Sequence, residues 1–257
     1  MSKHTSLYSI AQTLQQNDLF AFSSRTFSHL FDMNSVQVAR LLTRMESEGL
    51  VARPERGKYL LLGLAPEQVL SNHLFIGNHL VTPGYVSCWS ALHFYGFTEQ
   101  VPQTVFICTT RKKPAITFRG VTYKFIKLKP TQFFGYRREI HADLPVLIAD
   151  EAKAIIDSLH RPQYAGGVSE VAKALRNALR DIDIETLVKY ANALCSRSLA
   201  SRLGYLLDLL GVTVEGLEIS QGPVNLEPAR ERGGPYDTQW RIYANLAPET
   251  LFPEGVG

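Results

Sequence analysis

Ser23 to Leu62 reads SSRTFSHLFDMNSVQVARLLTRMESEGLVARPERGKYLLL, and this stretch decides how the N-terminal part folds. Phe27, Leu30 and Phe31 recur at i, i+3 and i+4, so a helix from Ser24 to Phe31 has one apolar side. Asp32-Met33-Asn34 interrupt the pattern as a turn. The Ser35 hydroxyl is suited to accept from unpaired first-turn amides, which makes Ser35 the expected N-cap of a second helix. In that helix Val38, Leu41, Leu42 and Met45 form a core-facing stripe, while Gln37, Arg40 and Arg44 fall on another side. Gly49 ends it, where a positive φ costs little. Leu50-Val51-Ala52 and Lys58 to Leu62 then flank Arg53-Pro54-Glu55-Arg56-Gly57, which reads as a hairpin with a basic tip. Helix, turn, capped helix and basic hairpin, in that order, are the grammar of a winged helix-turn-helix.

That grammar points to duplex DNA. An α-helix fits the major groove, and side chains near its N-terminal end reach base edges. Arg40 is the candidate for a bidentate contact to a guanine edge, worth roughly 1–3 kcal/mol of discrimination. Gln37 suits adenine by the same geometry. Ser35, Arg44, Arg53, Arg56 and Lys58 are expected on phosphates, which position a protein without reading sequence. The bland alternatives are a solvated helix face, or a winged helix used only for protein contacts.

The rest of the chain bounds the problem. At 257 residues the protein exceeds one typical domain, and the motif occupies only its first quarter. A content of 45% hydrophobic and 20% charged residues describes an ordinary globular protein. No apolar run is long enough to span a bilayer, and the polar start Met1-Ser2-Lys3-His4-Thr5 does not read as a secretory signal, so no membrane partner and a cytoplasmic location are expected. Cys88, Cys108 and Cys195 are scattered and odd in number, which favours free thiols over disulfides or zinc. The net charge is only +3, but its distribution is uneven. Residues 111–141 hold Arg111, Lys112, Lys113, Arg119, Lys124, Lys127, Lys129, Arg137 and Arg138 against the single acid Glu139. Such a segment suits an acidic partner, nucleic acid or protein, unless its lysines merely guard strand edges.

The patterns divide the chain near Gly63, into a winged helix-turn-helix domain at 1–63 and an α+β domain at 64–257. A helix is expected ahead of the motif from Leu7 to Leu19, and another from Pro66 to about Leu80. A short helix follows around Ser87 to Tyr95. Val105–Thr109, Ile116–Phe118, Val121–Ile126 and Leu144–Ala149 read as strands. Asp150 starts a helix through Leu159, and further helices fall near 168–179, 184–194 and 198–210. Two late strands are expected around 223–226 and 239–245, with a loop from Pro228 to Tyr236 between them.

Several fragments of the second part resemble one family. Ser87 to Phe106 (SCWSALHFYGFTEQVPQTVF) is similar to the start of the C-terminal domain of AbiEi-type antitoxins, of the type IV toxin–antitoxin systems used in bacterial phage defence. Ile148 to Asp157 (IADEAKAIID) looks like that family's Ala-Asp-x-Glu segment, with one residue fewer between Asp150 and Glu151. Arg202 to Leu207 (RLGYLL), Pro223 to Pro228 (PVNLEP) and Trp240 to Asn245 (WRIYAN) are similar to its later elements, in the right order. The resemblance implies a bifunctional protein: a winged helix that binds inverted repeats in its own promoter and represses it, and a C-terminal domain that counteracts a nucleotidyltransferase-like toxin, possible without a stable complex. The basic segment at 111–141 is then the natural toxin-neutralising or acidic-partner surface, or an extension of the DNA footprint. A standalone ligand-responsive regulator is the alternative.

Catalysis has little support. Glu151-Ala-Lys153 matches half of a metal-dependent nuclease site, with Asp143 or Asp150 as a second carboxylate, but it opens a helix where such sites need a strand. Asp150 and Glu151 are better explained as partners of a positive helix end. Ser90 lacks the Gly-x-Ser-x-Gly elbow, and Gly166-Gly167 lacks the Lys-Ser/Thr of a phosphate loop. No catalytic residue, metal or cofactor is expected. Arg202 is expected to be buried and paired with Asp157 or another carboxylate.

Overall fold

The computed structural model describes residues 6–63 and 66–252. Helix α1 (Leu7–Gln16) starts at Ser6, whose side chain accepts from the Ser9 amide, and ends before the expected Leu19. Strand β1 (Ala21–Ser23) leads into α2 (Ser24–Phe31), which is capped by the Ser23 side chain on Thr26 N–H. Asp32, at φ 49°, takes the left-handed position that closes α2. Then come α3 (Ser35–Ser47), β2 (Val51–Glu55) and β3 (Lys58–Leu61). The three strands form one antiparallel sheet in the order β1-β3-β2. Glu55 pairs with Lys58 across a two-residue Arg56-Gly57 turn, and Gly57 supplies the positive φ of 79° that such a turn requires. β1 was invisible to pattern reading because three residues carry no alternation; its pairing with β3 defines it.

One expectation at α3 is corrected. Asn34, not Ser35, is the N-cap. Its carboxamide oxygen accepts from the Val36 and Gln37 amides at 3.1 and 3.0 Å, and Gln37 Oε1 accepts from Asn34 N–H at 3.0 Å. Asparagine caps as well as serine, and the residue three positions on decides between them. From Asn34 that residue is Gln37, which closes a capping box. From Ser35 it is Val38, which the core needs.

The second part begins with α4 (Pro66–Leu70) and α5 (His73–His79), where one helix was expected. The break falls at Asn72, whose side chain caps α5 by accepting from Phe75 N–H at 3.0 Å. Next are β4 (Tyr85–Val86), α6 (Trp89–Phe94), β5 (Thr104–Thr109), β6 (Ile116–Phe118), β7 (Val121–Lys127), β8 (Tyr136–His141) and β9 (Leu144–Ala149). They form a six-stranded mixed sheet in the order β6-β7-β5-β4-β9-β8. β5 runs parallel to β7 and β4 parallel to β9; the other pairs are antiparallel. α5 lies on one face, so close that a Cβ on Gly77 would meet Val105, Tyr123 and Ile107 within 3.0–3.2 Å. On the other face Tyr85 and Cys108 reach α7 (Glu151–His160) through Asp157.

α8 (Val168–Ala178), α9 (Ile184–Ala193) and α10 (Arg197–Leu209) pack against α7, and a small sheet of β10 (Val224–Asn225), β11 (Tyr236–Asp237) and β12 (Ile242–Tyr243) lies beside α10. A four-residue α11 (Pro248–Leu251) ends the described chain against α8. β11 lies at the end of the segment expected to be a loop. Gly204 in α10 allows Trp240 to sit where a Cβ would be, 2.1 Å from its ring atoms, which explains a glycine in the middle of a helix.

Two clusters of buried side chains result. Ile10, Leu14, Phe22, Phe27, Val38, Leu42, Met45 and Leu61 fill the N-terminal one. Ala52, Leu60 and Leu62 instead join the much larger second cluster, so the small sheet docks its other face onto the α5 region. The chain is thus mixed α and β in more than one sheet. Among the described residues no helix is long and apolar enough to cross a membrane.

Candidate nucleic-acid interface

α3 buries Val38, Leu42 and Met45. With about 3.6 residues per turn, the line opposite that stripe is Val36, Arg40, Thr43 and Ser47, and all four are exposed. Arg40 therefore stands at the outermost ridge. Gln37 and Arg44 lie on one flank of it, Ser35 and Ala39 on the other. The Ser35 flank borders an open cleft of about 460 Å³. Ser24, Arg25, Ser28 and His29 of α2 form its second wall, and Arg53, Arg56, Gly57 and Tyr59 of the β2–β3 hairpin form its third. The Arg53 guanidinium rests 6.0 Å from the centroid of the Tyr59 ring. Among the described residues Arg25, Arg40, Arg44, Arg53 and Arg56 form no ion pair. The structure thus gathers Ser35, Arg53 and Arg56 around one cleft, leaves Arg40 outside it on the outer ridge of α3 and puts Arg44 further round the helix.

Two of the residues expected to contact DNA are engaged elsewhere. Gln37 Oε1 is held by Asn34 N–H, which leaves only its amide nitrogen free to donate. Lys58 turns inward: its Nζ donates to the His79 carbonyl at the end of α5, at 2.8 Å. Burial pulls the Lys58 pKa below its ordinary value; Glu55 opposes that shift, while Lys113 and Arg111 add to it. Lys58 ties the hairpin to the second part of the molecule. Lys113 does the same from the opposite side, donating to both Glu55 oxygens at 2.7 and 2.6 Å.

The basic segment at 111–141 is not one surface. Arg111, Lys112 and Lys113 follow the end of β5; Lys127 ends β7 and Lys129 follows it. Because β5 and β7 are parallel, with Thr109 opposite Lys127, these five share one end of the sheet. Arg119 sits at the β6–β7 turn with φ 48°, the other end of β7. Lys124 lies 5.0 Å over the Tyr164 ring. Arg137 on β8 grips both Glu151 oxygens at 2.7 Å and also pairs with Glu139. That contact holds the Glu151 carboxyl below its usual range. Arg138 is exposed on the same edge strand. β8 was not expected as a strand, because Tyr-Arg-Arg-Glu-Ile-His has no apolar alternation and depends on pairing with β9.

The nuclease-like half-motif dissolves in the fold. Glu151 belongs to Arg137, while Lys153 is fully enclosed and ion-paired with Asp157. Asp157 in turn accepts from Tyr85 and Ser87 at 2.9 and 2.8 Å. Arg202 is buried as expected, but among the described residues it forms no ion pair with Asp157 or with any other carboxylate. Its Nε donates to the Asn225 and Leu226 carbonyls, both at 3.0 Å. Ser90 has a structural role, accepting from Phe106 N–H at 3.0 Å.

Pattern reading missed three residues at the cleft and ridge. Arg25 and His29 face the cleft from α2. Val36 is 57% exposed at the start of α3. An apolar residue off the core stripe was the available signal for Val36, and a cation in the first turn of the preceding helix was the signal for Arg25.

No family model and no curated protein matches this chain. Among solved structures, the crystal structure of the Rv2827c protein from Mycobacterium tuberculosis is similar, with a TM-score of 0.57 over 94% of this chain and 92% of that one, at 13% sequence identity. At that identity the likeness concerns the fold alone, and it extends through nearly the whole length of both chains.

Proposed function

We propose that residues 6–63 are a winged helix-turn-helix that binds duplex DNA, and that the protein represses its own promoter while acting as an antitoxin. The supporting observation is the convergence of unpaired cations on one side: Arg40 on the outer ridge of α3, with Arg53, Arg56 and Arg25 around the adjoining cleft. In this reading α3 enters the major groove, Arg40 addresses a guanine edge, and the exposed Val36 packs on a thymine methyl. Arg53 and Arg56 on the wing, Arg25 and the Ser35 hydroxyl hold phosphates and fix the register. Arg44 reaches the backbone on the far side of the helix. Because the cations are already exposed and unpaired, no internal salt bridge has to break when DNA arrives.

The antitoxin half of the proposal is supported by the resemblance of residues 87–245 to the AbiEi family. In that reading the partners are promoter DNA with inverted repeats and a nucleotidyltransferase-like toxin. Both halves are tested in cells. A reporter under the protein's own upstream DNA should be repressed by wild type and released by Arg40→Ala. In this reading a nucleotidyltransferase-like reading frame adjoins the gene, and coexpression with it should restore growth that the toxin alone arrests. A reporter indifferent to wild-type protein removes the first half, and growth arrest that persists in coexpression removes the second.

A further inference from the structure

Of the five cations gathered where β5 and β7 end, Lys113 and Arg111 border the wing. Lys113 grips Glu55 on β2, and Arg111 is near enough to Lys58 to depress its proton affinity. Glu55 is the one acid of the hairpin, and Lys113 and Lys58 surround it at 2.6 and 3.8 Å, so no free carboxylate interrupts the positive surface there. The relative position of wing and sheet end is fixed twice over, by that ion pair and by the Lys58 contact to the His79 carbonyl. Arg111, Lys112, Lys127 and Lys129 remain exposed, and among the described residues none of them forms an ion pair.

We infer that this sheet end is a second DNA-backbone contact, made by the second part of the molecule and continuous with the wing. The inference rests on the DNA-binding reading above and extends it. The cleft joins α3 to the wing, and Lys113 joins the wing to the sheet end, so in this reading DNA lying on α3 and the wing continues past Arg111 and Lys112 toward Lys127 and Lys129. Composition favours phosphate over protein as the partner. Protein interfaces have apolar or aromatic centres. None of the large exposed apolar side chains (Tyr8, Leu30, Val36, Val101, Tyr136, Ile140, Leu147, Tyr236) belongs to residues 109–113 or 127–129. Three of the four free cations are lysines, point charges on flexible stems that neutralise phosphates without reading bases.

The test uses the full chain and two probes of equal length, a duplex of its own upstream DNA and a scrambled duplex, titrated at several salt concentrations. Each lost phosphate contact lowers the slope of log K against log salt by about 0.9. Arg111→Ala/Lys112→Ala and Lys127→Ala/Lys129→Ala should each reduce the slope by about 2 on both probes, so that their affinity falls about tenfold less than wild type between about 50 and 200 mM salt. Preference for the upstream duplex should persist, and thermal unfolding should match wild type. Wild-type slopes in both variants, with Arg40→Ala still impaired, would overturn the second contact and leave the winged-helix reading intact. Loss of toxin protection with unchanged slopes would likewise overturn it and assign the patch to a protein. Absence of salt-dependent binding by wild type would overturn both readings together.

Discussion

The N-terminal unit and the helical layer around α7 use their cations in opposite ways. Arg40, Arg44 and Arg56 are exposed and form no ion pair among the described residues. Lys153 and Arg202 are buried and bound to groups within the fold. Lys153 pairs with Asp157 and lies 4.6 Å over the Phe134 ring. Arg202 bonds two carbonyls. A buried charge is tolerated only when its surroundings replace the water it lost, so each such group brings its own set of partners. An exposed charge keeps its water and contributes little to folding, which leaves it available for an external anion. The difference separates residues that specify the fold from residues that an external anion can reach, even where the side chains are chemically alike.

The contrast is most exposed to failure at its buried end. Asp157→Ala strands Lys153 and two hydroxyls, and should cost about 3–5 kcal/mol in urea denaturation. Replacing the pair together, Lys153→Met with Asp157→Leu, should recover most of that loss. A single variant as stable as wild type would show that the pair does not matter to the fold.

Next in size is a pH effect at His160, which closes α7. Burial, aided by Arg161, depresses its pKa from 6.5 to about 4. The native state therefore keeps the ring neutral while the unfolded chain takes up a proton near 6.5. Stability should fall as pH drops from 6.5 toward about 4, by at most roughly 1.4 kcal/mol per unit, with no contribution above 6.5. His160→Gln should lose less stability across that window, and parallel curves for the two proteins would contradict the assignment.

At the exposed end the effects move from stability to binding. Arg40→Ala should change stability by less than about 0.5 kcal/mol, yet reduce preference for the upstream duplex by about 1–3 kcal/mol. Arg56→Ala should be smaller still: a salt slope lower by about 0.9, equal on all sequences, with preference unchanged. A marked drop in unfolding midpoint for either variant would blur the distinction between the two regions.

The same contrast explains what could be read from the sequence. α2, α3, the hairpin and α7 were legible, because Phe27–Phe31, Val38–Met45 and Ile155–Leu159 carry local periodicity and Gly49 and Asp150 mark ends. Outward cations on α3 were legible for the same reason: they are what remains once the stripe is removed. Side chains whose partners lie far along the chain were not. Nothing near Lys58 indicates that it reaches the His79 carbonyl, and nothing near Lys153 indicates that Tyr85 and Ser87 complete its pocket through Asp157. β8 and β11 were missed because their strand character is conferred by β9 and β12.

The most direct test of α3 as the groove-reading element is methylation protection of guanine N7 on the bound upstream duplex, since that atom faces the major groove. The expected result is protected guanines in two half-sites about one helical turn apart, or a multiple of that, with one guanine per half-site becoming reactive again in Arg40→Ala. Guanines that stay fully reactive under saturating protein, or a pattern that Arg40→Ala does not alter, would contradict it.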